Sequence, residues 1–125
     1  MVVLLADDNR LLLSVLSMVL RDAGHEVLAA DSGRKALDEI HRKRPDAAIL
    51  DLYMPIVSGA AVAAECRTRD IPFVFISAYD ETEISKTAGA LGARGYLLKP
   101  TTRTAMLSAL DRCAGGPTVG ELCCT

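Results

Sequence analysis

Asp7 and Asp8 follow the apolar run Val2–Ala6, and Asp51 follows Ala47–Leu50. Ser77 follows Pro72–Ile76, and Lys99-Pro100 closes Arg94–Leu98. Each run reads as a buried strand. In a parallel sheet the carboxyl ends of the strands share one edge, and open α/β sheets bind ligands there. Three carboxylates, a hydroxyl and an ammonium gathered at that edge describe a phosphoryl site assisted by Mg2+, a cation that prefers hard oxygen ligands. Asp51 is the candidate nucleophile, Asp8 with Asp7 and Asp51 supply charge for the metal, and Lys99 offers a point positive charge to a phosphoryl oxygen. Ser77 can donate its hydroxyl to another of those oxygens.

The elements needed to position these groups are legible in the spacing. Leu12, Val15, Leu16, Val19, Leu20 and Ala23 recur as a helical stripe, predicting a helix over Asn9–Ala23 that Gly24 ends. Glu26–Ala30 reads as the second strand, with Asp31 or Ser32 able to cap a helix over about Gly33–Arg44 that buries Ala36, Leu37 and Ile40. Ala47–Leu50 is apolar throughout, as a central strand covered on both faces must be. A small-residue helix near Ala60–Arg69, a helix over Glu81–Leu91, and a last helix capped by Thr101 or Thr102 and running to about Cys113 complete the series. Strand and helix alternate five times, predicting one α/β domain with a parallel sheet and helices on both faces. Residues 1–114 form that domain, and 115–125 read as a tail or linker stub.

Composition narrows the function. The chain has 125 residues, enough for a single core. Its net charge of −2 gives no excess of Lys and Arg for direct nucleic-acid binding. Cys66, Cys113, Cys123 and Cys124 match no zinc spacing, and Cys66 and Cys113 fall in helical apolar patterns as small hydrophobes. Val2–Ala6 is too short for a signal peptide, and no run approaches the ~20 apolar residues of a membrane span. The expectation is a cytoplasmic protein without membrane association.

The residues resemble the receiver domain of bacterial two-component response regulators across 2–113. Asp7-Asp8-Asn9, the string Asp51-Leu52-Tyr53-Met54-Pro55-Ile56-Val57-Ser58-Gly59 (D-x-x-M-P-x-x-x-G), Ser77-Ala78 and Lys99-Pro100 carry the likeness. Any one of these strings is weak evidence; all four in order are specific. The resemblance implies a flavodoxin-like (βα)5 fold of strand order 2-1-3-4-5. It adds the backbone carbonyl of Tyr53 as a metal ligand and a cis bond before Pro100. It also implies a switch in which the Ser77 hydroxyl moves toward the phosphoryl group and Tyr96 swings into the space left. Partners implied are a histidine kinase or histidine phosphotransfer protein as donor, and a downstream protein target or output domain. The active form is a monomer or a phosphorylation-induced dimer. Such a protein is a self-catalysed switch, not an enzyme. A phosphate sink, a phosphorelay intermediate or a receiver excised from a larger regulator are the alternatives.

Tyr53 and Tyr79 stand two residues after Asp51 and Ser77, where with the small Ala78 they would flank the path of an attacking water. On the first helix, Leu11, Ser14 and Met18 form an outward stripe suited to docking the donor. A phosphohydrolase with an aspartyl nucleophile would place D-x-D at the first strand and need a cap. A flavodoxin-like electron carrier needs a hydroxyl- and Gly-rich phosphate loop where Asp7-Asp8 would repel flavin phosphate.

Overall fold

In the computed structural model, residues 1–78 and 80–114 are described, so the expectations for Tyr79, Cys123, Cys124 and the 115–125 segment lie outside them. Five strands alternate with five helices among the described residues: β1 (Val2–Ala6), α1 (Arg10–Asp22), β2 (Glu26–Ala30), α2 (Gly33–Lys43), β3 (Ala47–Asp51), α3 (Gly59–Thr68), β4 (Phe73–Ser77), α4 (Glu81–Leu91), β5 (Tyr96–Leu98) and α5 (Arg103–Cys113). The sheet is wholly parallel in the order β2-β1-β3-β4-β5.

Successive side chains of a strand point to opposite faces, and two cores result. Leu4, Ala6, Leu50 and Phe75 pack with residues of α2, α3 and α4 such as Ile40, Val62 and Ile84. Val3, Leu5, Ile49 and Val74 pack on the other face with Leu16 and Leu20 of α1 and Met106 and Leu110 of α5. β1, β3 and β4 are therefore apolar at nearly every position, because neither face meets water.

Each helix begins at a side-chain cap, which satisfies an amide that the first turn leaves without a partner. Asn9, Ser32, Ser58 and Thr102 accept from the backbone N–H three residues on, at 3.1–3.2 Å. Asp80 accepts from Thr82 at 2.7 Å and Glu83 at 3.3 Å. Thr102, rather than Thr101, caps α5. Gly24 follows α1 with φ +94°, a conformation costly for any residue with a Cβ.

The phase of α1 differs from the predicted one. Leu13, Leu16, Ser17 and Leu20 are its buried residues, whereas Val15 is 49% exposed and Leu12 and Val19 are only half-buried. Rotating the helix this way puts Leu13 into the core at the cost of burying Ser17. Leu11, Met18 and Val15 then face outward together. In α2, Ala36 and Ile40 are fully buried, and the half-buried Leu37 packs against the same core.

Candidate phosphoryl-transfer site

Strand register assembles the carboxyl rim. Ala6 pairs with Leu50, so Asp7 and Asp51 are the next residues on neighbouring strands. Asp51 pairs with Ile76, whose successor is Ser77, and Ser77 pairs with Leu98, whose successor is Lys99. Adjacent parallel strands lie about 4.8 Å apart, close enough for side chains from all four to meet. Lys99 is further tied down by its backbone N–H, which donates to the Ser77 carbonyl at 2.8 Å, and its peptide bond to Pro100 is cis.

The side chains of Asp7, Asp51 and Lys99 do meet. Lys99 Nζ lies 2.8 Å from Asp7 Oδ2 and 3.3 Å from Asp51 Oδ2. Carboxylate oxygens of Asp7, Asp8 and Asp51 all lie within 4.8 Å of one another. Asp7 and Ser77 are fully buried and Asp51 nearly so, while Asp8 is exposed at the mouth. Asp7 Oδ1 accepts from the Asn9 amide at 2.9 Å, and Asp51 Oδ1 from the Tyr53 amide at a long 3.4 Å. A cavity of about 480 Å³ opens above, lined by Asp8, Asn9, Asp51, Tyr53, Ala78 and Lys99.

The loop leaving β3 is pressed against Asp51. Gly59 donates its amide to the Leu52 carbonyl at 3.1 Å, and a Cβ on Gly59 would sit 2.1 Å from the Asp51 carbonyl oxygen. Only glycine fits that approach.

Charge at this rim is out of balance. Burial pushes the Asp51 carboxyl up to about 6, and the neighbouring Asp7 charge adds to the rise. Lys99 pulls the other way without prevailing. Burial pulls the Lys99 ammonium down, but Asp7 and Asp51 outweigh it and hold it above its ordinary value. One ammonium is thus shared between Asp7 and Asp51, with Asp8 adding a third carboxylate to the cluster. The buried Asp7 Oδ2 has the Lys99 ammonium, at 2.8 Å, as its partner. An all-oxygen cluster of three carboxylates with surplus negative charge fits a hard divalent cation such as Mg2+.

The remaining residues singled out in the sequence lie around this rim or beside it. Tyr53 is 42% exposed and Ala78 is exposed, both lining the cavity. Tyr96 is half-buried on β5, and its phenol donates to Glu81 Oε1 at 3.2 Å. Leu11, Ser14 and Met18 are exposed on α1, and Val15 joins them. Sequence reasoning gave no part to Glu83, which accepts a hydrogen bond from the Tyr53 phenol. Nothing in its local pattern marked it, because the contact spans the loop after β3 and the first turn of α4. Cys66 and Cys113 are buried, and burial pushes their thiols up to about 12 and about 11. Thiols so raised are poor nucleophiles.

A doubly wound parallel α/β domain with an acidic carboxyl rim and a single lysine is the class of protein defined by this geometry. Residues 3–111 match the family model described as the response regulator receiver domain, and the chain belongs to that family. It is 45% identical over 89 residues to the probable transcriptional regulatory protein NarL of Mycobacterium tuberculosis, covering 70% of this chain and 41% of that protein. It is 31% identical over 111 residues to the transcriptional regulatory protein PdtaR of the same organism, covering 87% of this chain and 54% of PdtaR. The chain therefore spans only about two-fifths to half of these curated relatives. Among solved structures, the receiver domain of M. tuberculosis NarL superposes with a TM-score of 0.79 at 38% identity, covering 91% of this chain and 96% of that one. The chemotaxis response regulator CheY4 of Vibrio cholerae gives 0.80 at 31% identity, covering 90% and 97%. Receiver domains are signalling switches rather than enzymes that turn over a separate substrate. No helix among the described residues is long and apolar enough to cross a membrane.

Proposed function

We propose that this chain accepts a phosphoryl group on Asp51 from a histidine kinase or histidine phosphotransfer protein, and that the modified domain regulates a protein partner or an attached output domain. The observation that carries the reading is the ammonium of Lys99 standing 3.3 Å from Asp51 Oδ2 at the edge of an acidic cluster. An Asp51 oxygen attacks phosphorus in line as the bond from the donor's histidine nitrogen breaks. The electron pair of that bond returns to the imidazole. Catalysis of such a transfer rests on positioning and charge stabilisation rather than covalent help. Lys99 meets one phosphoryl oxygen and the Ser77 hydroxyl another. Asp7, Asp8, Asp51 and the Tyr53 carbonyl would hold Mg2+. When bound, the cation offsets the repulsion between the phosphoryl oxygens and the carboxylates. Ala78 leaves room for the group, while Tyr53 and Tyr79 limit the approach of water.

The output follows from Ser77 and Tyr96. Drawing the Ser77 hydroxyl toward the phosphoryl group favours one of two packings of Tyr96, and the α4–β5–α5 face changes with it. The groove lined by Glu81, Tyr96, Leu98, Pro100, Thr102 and Ala105, about 320 Å³, lies on that face. Leu11, Ser14 and Met18 dock the donor. Residues 1–114 act as the receiver and 115–125 as tail or linker. The domain works in the cytoplasm, as a monomer or a phosphorylation-induced dimer, without itself contacting nucleic acid. Transcriptional output, named for the longer relatives, would need a further domain.

The test is intact-mass measurement after incubation with Mg2+ and a small acyl phosphate. One added phosphoryl group is expected, lost in Asp51→Asn and on chelation. Labelling that persists in Asp51→Asn contradicts the reading.

A further inference from the structure

Glu83 stands in the first turn of α4 and accepts a hydrogen bond from the Tyr53 phenol, 30 residues distant in sequence. Tyr53 is the residue whose amide faces Asp51 Oδ1, and it lines the cavity above that carboxylate. The bond therefore ties the loop after β3 to the start of α4 across the part of the rim where Ala78 supplies little bulk. At 42% exposed, the Tyr53 ring is only partly held by packing, and the bond to Glu83 gives it a direction.

We infer that Glu83 is a positioning residue: it holds Tyr53 as one wall of the Asp51 cavity and so sets the lifetime of a phosphoryl group there. The inference rests on the proposal that Asp51 is the phosphoacceptor. In hydrolysis, a water oxygen bonds to phosphorus while the bond from phosphorus to the Asp51 oxygen breaks. The electron pair returns to the carboxylate, and the water's proton passes to phosphate or solvent. Asp51 lies at the cavity floor and is nearly buried, so the in-line direction for water runs outward through the mouth. A phenol fixed at that mouth occupies space the water needs. Its release from Glu83 opens the approach.

The same turn of α4 receives a second phenol, since Tyr96 donates to Glu81 at 3.2 Å. A movement of α4 thus bears on both tyrosines, and the lifetime at Asp51 becomes sensitive to what α4 is doing.

The experiment uses the full chain, phosphorylated with acetyl phosphate and Mg2+, with the donor removed and the decay followed by intact mass. A hydrogen bond of ordinary net strength corresponds to a roughly three- to tenfold change in rate. Glu83→Ala and Tyr53→Phe are each expected to shorten the lifetime by about that factor. The double variant should decay no faster than the faster single one, because both remove the same bond. Glu83→Gln, which keeps an acceptor and loses the charge, should stay nearer the parent than Glu83→Ala. A parent-like decay in Glu83→Ala, multiplied effects in the double variant, or a Gln variant as fast as the Ala variant would each overturn the inference alone. A parent chain that takes up no phosphoryl group overturns the proposed function and this inference with it.

Discussion

Lys99 Nζ lies 3.3 Å from Asp51 Oδ2 although 48 residues separate the two in sequence. Because the same ammonium is 2.8 Å from Asp7 Oδ2, it divides its charge between two buried carboxylates and fully compensates neither. The rim therefore carries more negative charge than Lys99 offsets. Four strands and their register are needed to create that arrangement, which is why the fold and the chemistry cannot be separated here.

Asp51 makes the metal-free chain less stable at neutral pH than at acid pH. Burial raises its carboxyl from the ordinary 3.8 to about 6 in the folded state, so the native state keeps the proton longer as pH rises. The favourable contribution is fully present below the lower value and is lost as pH rises through the upper one. In chelator, urea titrations should show stability falling between about pH 4 and pH 6 by roughly 1–3 kcal/mol. Asp51→Asn should lack this fall and exceed the parent in stability at neutral pH. A flat profile in the parent would contradict the account.

Mg2+ should reverse that loss. A ligand that binds only the folded state stabilises it in proportion to its occupancy, and the carboxylates must be unprotonated to bind. The expected result is a rise in Tm on adding Mg2+ above pH 7, shrinking as pH drops below the Asp51 value of about 6. The rise should be largely absent in Asp8→Asn. Equal shifts at pH 5 and pH 8 would speak against the acidic cluster as the binding place.

Gly59→Ala brings a methyl group to 2.1 Å from the Asp51 carbonyl, far inside contact distance. Backbone must move, and overpacking of this kind costs about 1–3 kcal/mol. Slower phosphorylation by a small donor should accompany the loss of stability, because the displaced backbone carries the acceptor. Full activity with unchanged stability would show that this approach has no role in placing Asp51.

Leu11→Glu and Met18→Glu test the α1 surface. Both side chains are well exposed, at 77% and 66%, so stability should change by less than about 0.5 kcal/mol. Phosphorylation by a small acyl phosphate should be unaltered, while transfer from a phosphohistidine protein slows. Equal transfer rates in parent and variants would remove the docking assignment.

Much of this was legible because parallel strands are plain in sequence: apolar on both faces, short, and ended by the polar residues that form the rim. Asp7, Asp51, Ser77 and Lys99 could be placed at one edge from that pattern alone. The phase of α1 could not. Leu11-Leu12-Leu13 offers three adjacent starts for an apolar stripe, and the true one buries Ser17, a residue that hydrophobicity points outward. The Tyr53–Glu83 and Tyr96–Glu81 bonds were also hidden, since each joins separate elements whose approach depends on how α4 settles against the sheet.

Site mapping of the modified residue tests the central claim most directly. The chain would be treated with acetyl phosphate and Mg2+, reduced with borohydride to convert an acyl phosphate to the alcohol, and digested for peptide mass spectrometry. The account predicts conversion of Asp51 to homoserine, dependent on Mg2+ and much reduced in Lys99→Ala. Conversion at Asp7, Asp8 or another carboxylate, with Asp51 untouched, would contradict it.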